Sequence, residues 1–489
     1  MTRMDTITTA DRPGVAMGAR GALGRTWERY GRRELVAGEP ARRLVLVSLA
    51  FMCIAITLVF IAVARGPELS IVDEPAHAGY LYTIAQGHVP AKGTLIPDEI
   101  RYEWWCHDQQ GATGSATCTG FSSTWQNAAQ EYTFGDPPVY YLVTGYLDRV
   151  VSPLVPGTHN FITIGRDLGA LWLFAAMIVL YLAARRFRIS WKYAALAAVL
   201  LPLCPGVLAS TSEVTSDAPA ALCGALGLYL LARLTVERRM GLILPFVLTV
   251  LATGTKVLNG MPLLAVAAVA LGMAGITLWR ERDLRAALRP CLVAASILAG
   301  FLVTFLGWTV FQDHRGVPNW VNPNAANGIA LTGSKAGDFL SNLFGTFQHL
   351  TTDYWLQPEV SGESTLIWAT LLCLVFCGAP IAAMALSRSW SWGWLLGLGT
   401  LVGISAVPIA VELQVYMANH EYFEVVSARY AVSFLPWTIL CLAVVAHRRR
   451  LLRTSGVFVS VGLLVVVLNE LGLFTLGPAL VSRTAYLIG

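Results

Sequence analysis

The chain has 489 residues, 55% of them apolar and only 13% charged, with a mean hydropathy of +0.58. That is too little charge to cover a soluble surface of this size, so a soluble globular enzyme is excluded. The net charge of +5 is almost wholly arginine, since the lysines are Lys92, Lys192, Lys256 and Lys335, and the arginines cluster between apolar runs instead of forming a nucleic-acid patch.

Repeated runs of membrane-spanning length predict an all-α polytopic membrane protein of about eleven transmembrane helices. Residues 1–43 carry arginines without apolar periodicity and read as a cytoplasmic tail. They lack the pattern of a cleaved signal peptide, so the first apolar run, 44–63, is expected to stay as an anchor. The transmembrane domain is placed at 44–476, with external loops at 65–165 and 312–364 and a short tail at 477–489. Later spans are expected at 166–184, 192–210, 217–234, 241–254, 257–279, 291–311, 365–386, 393–412, 430–446 and 455–476. Arginines at 185–188, 233–239, 280–289, 388 and 448–450 then all fall on the cytoplasmic side, provided 139–156 lies on the outer face as a juxtamembrane helix. Seven cysteines lie in apolar runs and read as small core residues, whereas Cys106 and Cys118 share a polar loop that permits a disulfide.

The first external loop begins with Ser70-Ile-Val-Asp-Glu-Pro-Ala-His77, two adjacent carboxylates at the mouth of a helix. Pro75 and Gly87 punctuate a short helix, with Asp73 or Ser70 as its N-cap, and Asp73 and His77 share one face. Further charges stand at the outer ends of spans, where an unpaired charge is expensive. These are Arg166 and Asp167, Glu213 and Asp217, Lys256 between two apolar runs, and Arg429 beside Tyr430. They compose a carboxylate pole of Asp73, Glu74, Glu213 and Asp217 and a cation pole of Arg166, Lys256 and Arg429. A carboxylate accepts a proton from an attacking hydroxyl, and the cations hold the phosphate of a lipid-linked donor. Trp104 and its neighbours offer sugar-stacking surfaces, and interfacial anchoring explains them equally well. No nucleotide loop or metal-ligand spacing is present, so no cofactor is assigned and a divalent cation is left open.

The order of these motifs resembles the GT-C glycosyltransferase superfamily, and within it a group of bacterial multi-span proteins. The resemblance is carried by Val72-Asp-Glu-Pro-Ala-His77, Glu131-Tyr-Thr-Phe-Gly-Asp-Pro-Pro-Val-Tyr-Tyr141, Ile164-Gly-Arg-Asp-Leu168, Ser212 to Pro219 with Asp217, Lys256, and Ala428-Arg-Tyr430 with Pro436. It implies two juxtamembrane helices in the first external loop, a polyprenyl-phosphate-linked sugar as donor, and inverting transfer on the extracytoplasmic face of a bacterial cell membrane. The acceptor is then a cell-envelope glycan, lipid or protein, and nucleic acid is not a partner. By position Asp73 matches the catalytic aspartate of that superfamily and Glu74 its neighbour. Donor-phosphate contacts from Lys256, Arg429 and Arg166, and substrate contacts from His77, Asp217, Tyr430 and Trp104, follow from the charges and rings themselves. The rival reading is a transporter or flippase of lipid-linked saccharides that uses the same charges as a passage.

Overall fold

The computed structural model describes residues 40–65, 69, 73–107, 129–155, 160–238, 240–318, 320, 329–330, 337, 363–422, 426 and 428–471. The arginine-rich tail before residue 40, Cys118, Trp125 and most of the loop expected at 312–364 lie outside the described residues. Contacts divide the chain into Met1–Val45 and Leu46–Gly489, and the helical bundle with its loop layer lies in the second unit.

The elements are almost all helical. Helix α1 (Ala41–Arg65) is followed by three helices of the first loop, α2 (Glu74–Ala85), α3 (Asp98–His107) and α4 (Val139–Val151). The bundle continues with α5 (Phe161–Asp167), α6 (Gly169–Arg186), α7 (Trp191–Leu200), α8 (Pro205–Thr211), α9 (Ala220–Ala232) and α10 (Ile243–Thr255). It closes with α11 (Met261–Glu281), α12 (Leu284–Arg315), α13 (Glu363–Ala385), α14 (Trp392–Asn419), α15 (Leu435–Arg448) and α16 (Leu452–Glu470). A two-residue antiparallel pair, β1 (Ile329–Ala330) and β2 (Glu421–Tyr422), joins the second loop to the chain after α14.

Nine helical segments among the described residues are long and apolar enough to cross a bilayer, which makes this a multi-pass membrane protein. Two of the eleven expected spans take a different form. The run at 192–210 is α7 and α8, bent by 67°. Pro202 and Pro205 cause the break, because neither offers an N–H to the helical ladder. The run at 241–254 is the 13-residue α10, about 20 Å long at 1.5 Å per residue and so well short of a ~30 Å hydrocarbon core. It stops at Lys256, whose backbone is extended, and a 3-10 turn at Val257–Gly260 leads into α11.

Close helix contacts rest on glycine. A Cβ on Gly169 would stand 1.8 Å from the Thr211 carbonyl oxygen, and one on Gly224 would stand 1.9 Å from that of Ser433. Only a missing side chain lets these backbones meet. The Gly224 carbonyl also accepts from Trp437 Nε1 at 3.0 Å, which fixes α15 against α9.

The loop helices have a core of their own. Tyr80, Leu81 and Ile84 of α2, Ile100 and Trp104 of α3, and Tyr140 and Tyr141 of α4 pack together with Ile96, Ile162 and Val214. This explains why α2 is buried on nearly every face. Trp104 is therefore only 4% exposed and serves the loop core, which corrects its expected role as a sugar platform. Trp320, another aromatic of the loops, donates its Nε1 to Gln130 Oε1 at 2.8 Å and packs edge-on against Phe134. Cys106 is disulfide-bonded, and its expected partner lies outside the described residues.

Two buried carboxyls brace this layer. Glu131 accepts from the Thr133 amide at 3.0 Å and from the Thr133 hydroxyl, while its other oxygen is buried without a partner. Asp148 accepts from Ser152 Oγ at 2.5 Å. Burial pushes the Glu131 carboxyl up to about 8 and the Asp148 carboxyl up to about 7. Each is bound as the neutral acid more tightly in the fold than in the unfolded chain, so its contribution is complete at acid pH and disappears as pH rises through those values. Thermal unfolding is expected to show stability falling from about pH 4, where the unfolded carboxyls begin to ionise, to about pH 8, where the folded ones have ionised, and Glu131→Gln should flatten that slope. An unchanged slope in this variant would contradict the assignment.

Candidate active site

Asp73 occupies the expected N-cap position of α2, where its carbonyl accepts from the Ala76 and His77 amides at 3.1 and 3.0 Å, but its side chain does no capping. Its backbone is left-handed, with φ 58°, and its side chain makes no hydrogen bond to the helix. The left-handed region costs a non-glycine residue about 1–3 kcal/mol, and aspartate is among the residues that tolerate it best. The turn redirects the carboxylate away from the helix end. One oxygen, Oδ2, accepts from Arg429 Nη2 at 2.6 Å, and Oδ1 accepts from the Tyr132 hydroxyl at 3.0 Å. Burial alone would raise this carboxyl, but the adjoining Arg429 guanidinium, the nearby His77 and the Tyr132 hydrogen bond hold it down at about 2. The Asp73 side chain keeps 23% of its surface exposed and that of Arg429 11%, so a ligand can reach this pair.

Its neighbour Glu74 behaves differently. It is fully buried and forked onto Arg166, with Nε to Oε1 at 2.7 Å and Nη2 bonded to Oε2. Oε1 also accepts the Val214 amide at 2.8 Å. Asp73 sits in a left-handed turn and Glu74 in the first turn of the helix, so the two acids of one doublet point to different partners. Glu74 and Arg166 neutralise each other, which ties α2 to α5 and to the turn that carries Asp217, and they do not join the open centre beside Asp73.

The second ion pair of that centre comes from the end of α10 and the turn before α9. Lys256 Nζ bonds Asp217 Oδ1 at 2.7 Å and stands 5.3 Å from the centre of the Tyr430 ring. Arg429 approaches the same ring at 5.2 Å. Both cations therefore share one aromatic ring, an arrangement in which the ring quadrupole tempers their mutual repulsion. Burial would raise the Asp217 carboxyl, but Lys256 and Arg429 together outweigh it and hold the group below the usual range. Its second oxygen, Oδ2, is buried without a partner.

His77, one turn into α2, hydrogen-bonds through Nδ1 to the Tyr141 hydroxyl at 2.6 Å. Burial lowers it to about 3 even against the pull of Asp73, so the imidazole is neutral. Tyr141 stacks on Tyr80 at 3.8 Å, and the Tyr80 hydroxyl donates to the Asp136 carbonyl at 3.2 Å.

Asp136 and Tyr132 belong to this centre although sequence reasoning did not single them out. Asp136 accepts from Ser216 Oγ at 2.5 Å, and burial raises its carboxyl against the opposing field of Lys256. Both lie within the Glu131 to Tyr141 motif, so the signal was there, but its acid was overshadowed by the doublet at 73 and 74. The centre thus gathers Asp73, Asp136 and Asp217 with Lys256 and Arg429, and Tyr132, Tyr430 and His77 border it. Among the described residues no group of three His, Cys, Asp or Glu side chains is placed to hold a metal ion.

The fold and site together define a multi-pass membrane protein with a charged centre where a layer of loop helices meets one end of the bundle. No family model and no curated protein matches the chain. Among solved structures it is similar to the crystal structure of ArnT from Cupriavidus metallidurans bound to undecaprenyl phosphate, with 17% identity and a TM-score of 0.44. The match covers 82% of this chain and 60% of that one, so the chain spans less than two thirds of the structure it matches.

Proposed function

We propose that this centre belongs to an inverting glycosyltransferase of GT-C type that moves a sugar from a polyprenyl-phosphate donor to a hydroxyl of an extracytoplasmic envelope glycan, lipid or protein. The observation that carries the reading is the conformation of Asp73. An aspartate in a left-handed turn, its side chain relieved of capping and turned onto a reachable arginine, is an acid set aside for something other than holding its helix.

In the proposed reaction Asp73 accepts the proton of the acceptor hydroxyl as that oxygen bonds to the anomeric carbon. The bond from the anomeric carbon to the phosphate oxygen breaks from the opposite side, and its electron pair leaves with the polyprenyl phosphate. Arg429 and Lys256 balance the charge that develops there, a task suited to preorganised cations in a dry site. The resting pairs give the cycle an order. While Arg429 holds Asp73, the carboxylate is too weak a base, and a donor phosphate that draws Arg429 to itself returns basicity to Asp73.

A pH dependence results from this order. The acid limb of kcat/KM reports the base of the free enzyme. Arg429→Gln removes the main charge that holds Asp73 low, so the limb is expected to move to higher pH while the rate falls. A limb that stays in place would remove Asp73 from the role of base.

The direct test incubates purified protein with radiolabelled polyprenyl-phosphate sugars and candidate acceptors. Release of polyprenyl phosphate together with a labelled acceptor supports transfer. Movement of the intact lipid-linked sugar across vesicles, with no phosphate released, would instead establish a transporter.

A further inference from the structure

Away from the charged centre, the bundle holds an apolar crevice of about 210 Å³ between α7, α15 and α16, with Val375 of α13 at its side. Its walls run from Tyr193 to Leu200 on α7 and from Ile439 to Ala446 on α15, with Leu451 across the turn. Each wall covers about 10 Å of helix, so the crevice is a slot and not a dimple. Its lining is apolar apart from Tyr193, Thr454 and Ser455, which suits an alkyl chain better than a polar solute.

One end of this slot is basic. Ala446 and Leu451 bracket His447, Arg448, Arg449 and Arg450, and the three arginines are exposed. Tyr193 meets the His447 ring edge-on at 5.3 Å, and His447 Nδ1 is buried without a hydrogen-bond partner. Arg448 is occupied by the Leu386 carbonyl and lies 5.5 Å from the centre of the Trp392 ring. Arg450 takes the left-handed conformation, with φ 57°, that turns the chain from α15 into α16. The exposed side chains of Arg449 and Arg450 therefore stand at the turn beside the mouth.

This mouth is remote from the charged centre. Arg429 and His447 lie at opposite ends of one spanning segment, Arg429–Arg448, about 30 Å apart or one hydrocarbon thickness.

We propose that the slot and its arginine turn bind an anionic phospholipid of the leaflet opposite the charged centre. An acyl chain fills the slot, and the headgroup phosphate engages Arg449 and Arg450. Guanidinium groups grip phosphate through paired charge-assisted hydrogen bonds. A zwitterionic lipid with the same chains would fill the slot equally but gain less at the turn, because its headgroup carries a compensating cation.

The test is a lipid titration of the purified full-length protein, read by native mass spectrometry, with phosphatidylglycerol and phosphatidylcholine of identical chains. Two arginines beside an anionic headgroup give an expected preference of roughly tenfold or more for phosphatidylglycerol. The double variant Arg449→Gln/Arg450→Gln should bind both lipids alike, and Ala446→Phe, which fills the slot, should lose the bound lipid of either kind. Equal affinity of the unaltered protein for the two lipids, or a preference that survives the double variant, would overturn the proposal. The two arginines are exposed and outside the charged centre, so the double variant keeps the test sound even if Ala446→Phe does not fold. Neither outcome depends on sugar transfer.

Discussion

Replacement of Asp73 by asparagine is expected to lower the rate of sugar transfer by about 100- to 10,000-fold, the usual contribution of a positioned general base. The substitution keeps the side-chain shape, and asparagine tolerates the left-handed turn as well as aspartate does. The protein should therefore express and unfold much like the parent. What it loses is the charge that Arg429 faces and the basicity that the acceptor hydroxyl needs. The measurement is the initial rate of labelled-sugar transfer under saturating donor, together with a thermal unfolding curve. Full activity in Asp73→Asn would dismiss the proposed base, and a collapse of stability would reassign Asp73 to the scaffold.

The largest effect on stability is expected at the neighbouring acid. Glu74→Gln takes from the buried Arg166 its bonded carboxylate and leaves it the fields of Glu213 and Asp167, and breaking a buried pair from one side costs about 3–5 kcal/mol. Glutamine still offers an oxygen to the Val214 amide, so the loss reports the ion pair and not the turn. The double variant Glu74→Gln/Arg166→Met removes both charges and is expected to recover most of the stability, since a buried pair replaced by neutral groups of similar size is often close to neutral. Denaturant titration of the single and double variants measures both. If Glu74→Gln were as stable as the parent and yet inactive, Glu74 would belong to the chemistry and the division of labour within the doublet would be wrong.

This division is the part of the site that the sequence could not disclose. Apolar runs, the Asp-Glu doublet and the charges at span ends are local, and each could be read where it stands. Which acid meets which cation is not local: Glu74 finds Arg166 across 92 positions and Asp73 finds Arg429 across 356. A left-handed residue at position 73 likewise leaves no mark beyond an aspartate, which also suits a cap, so the N-cap position was legible and the turn of its side chain away from the helix was not. Trp104 misled for a related reason. An aromatic in a polar loop looks available until the loop proves to have a core of its own. The bundle was more legible, because a membrane allows few forms of backbone, and its departures came where two prolines bend α7 from α8 and where α10 ends at Lys256.

A structure of the protein with polyprenyl phosphate bound is the measurement that bears most directly on the account. The phosphate is expected within hydrogen-bond distance of Arg429 and Lys256, with Arg429 withdrawn from Asp73 and the aspartate open to an acceptor. A phosphate seated elsewhere in the bundle, with the Asp73–Arg429 pair intact, would contradict it.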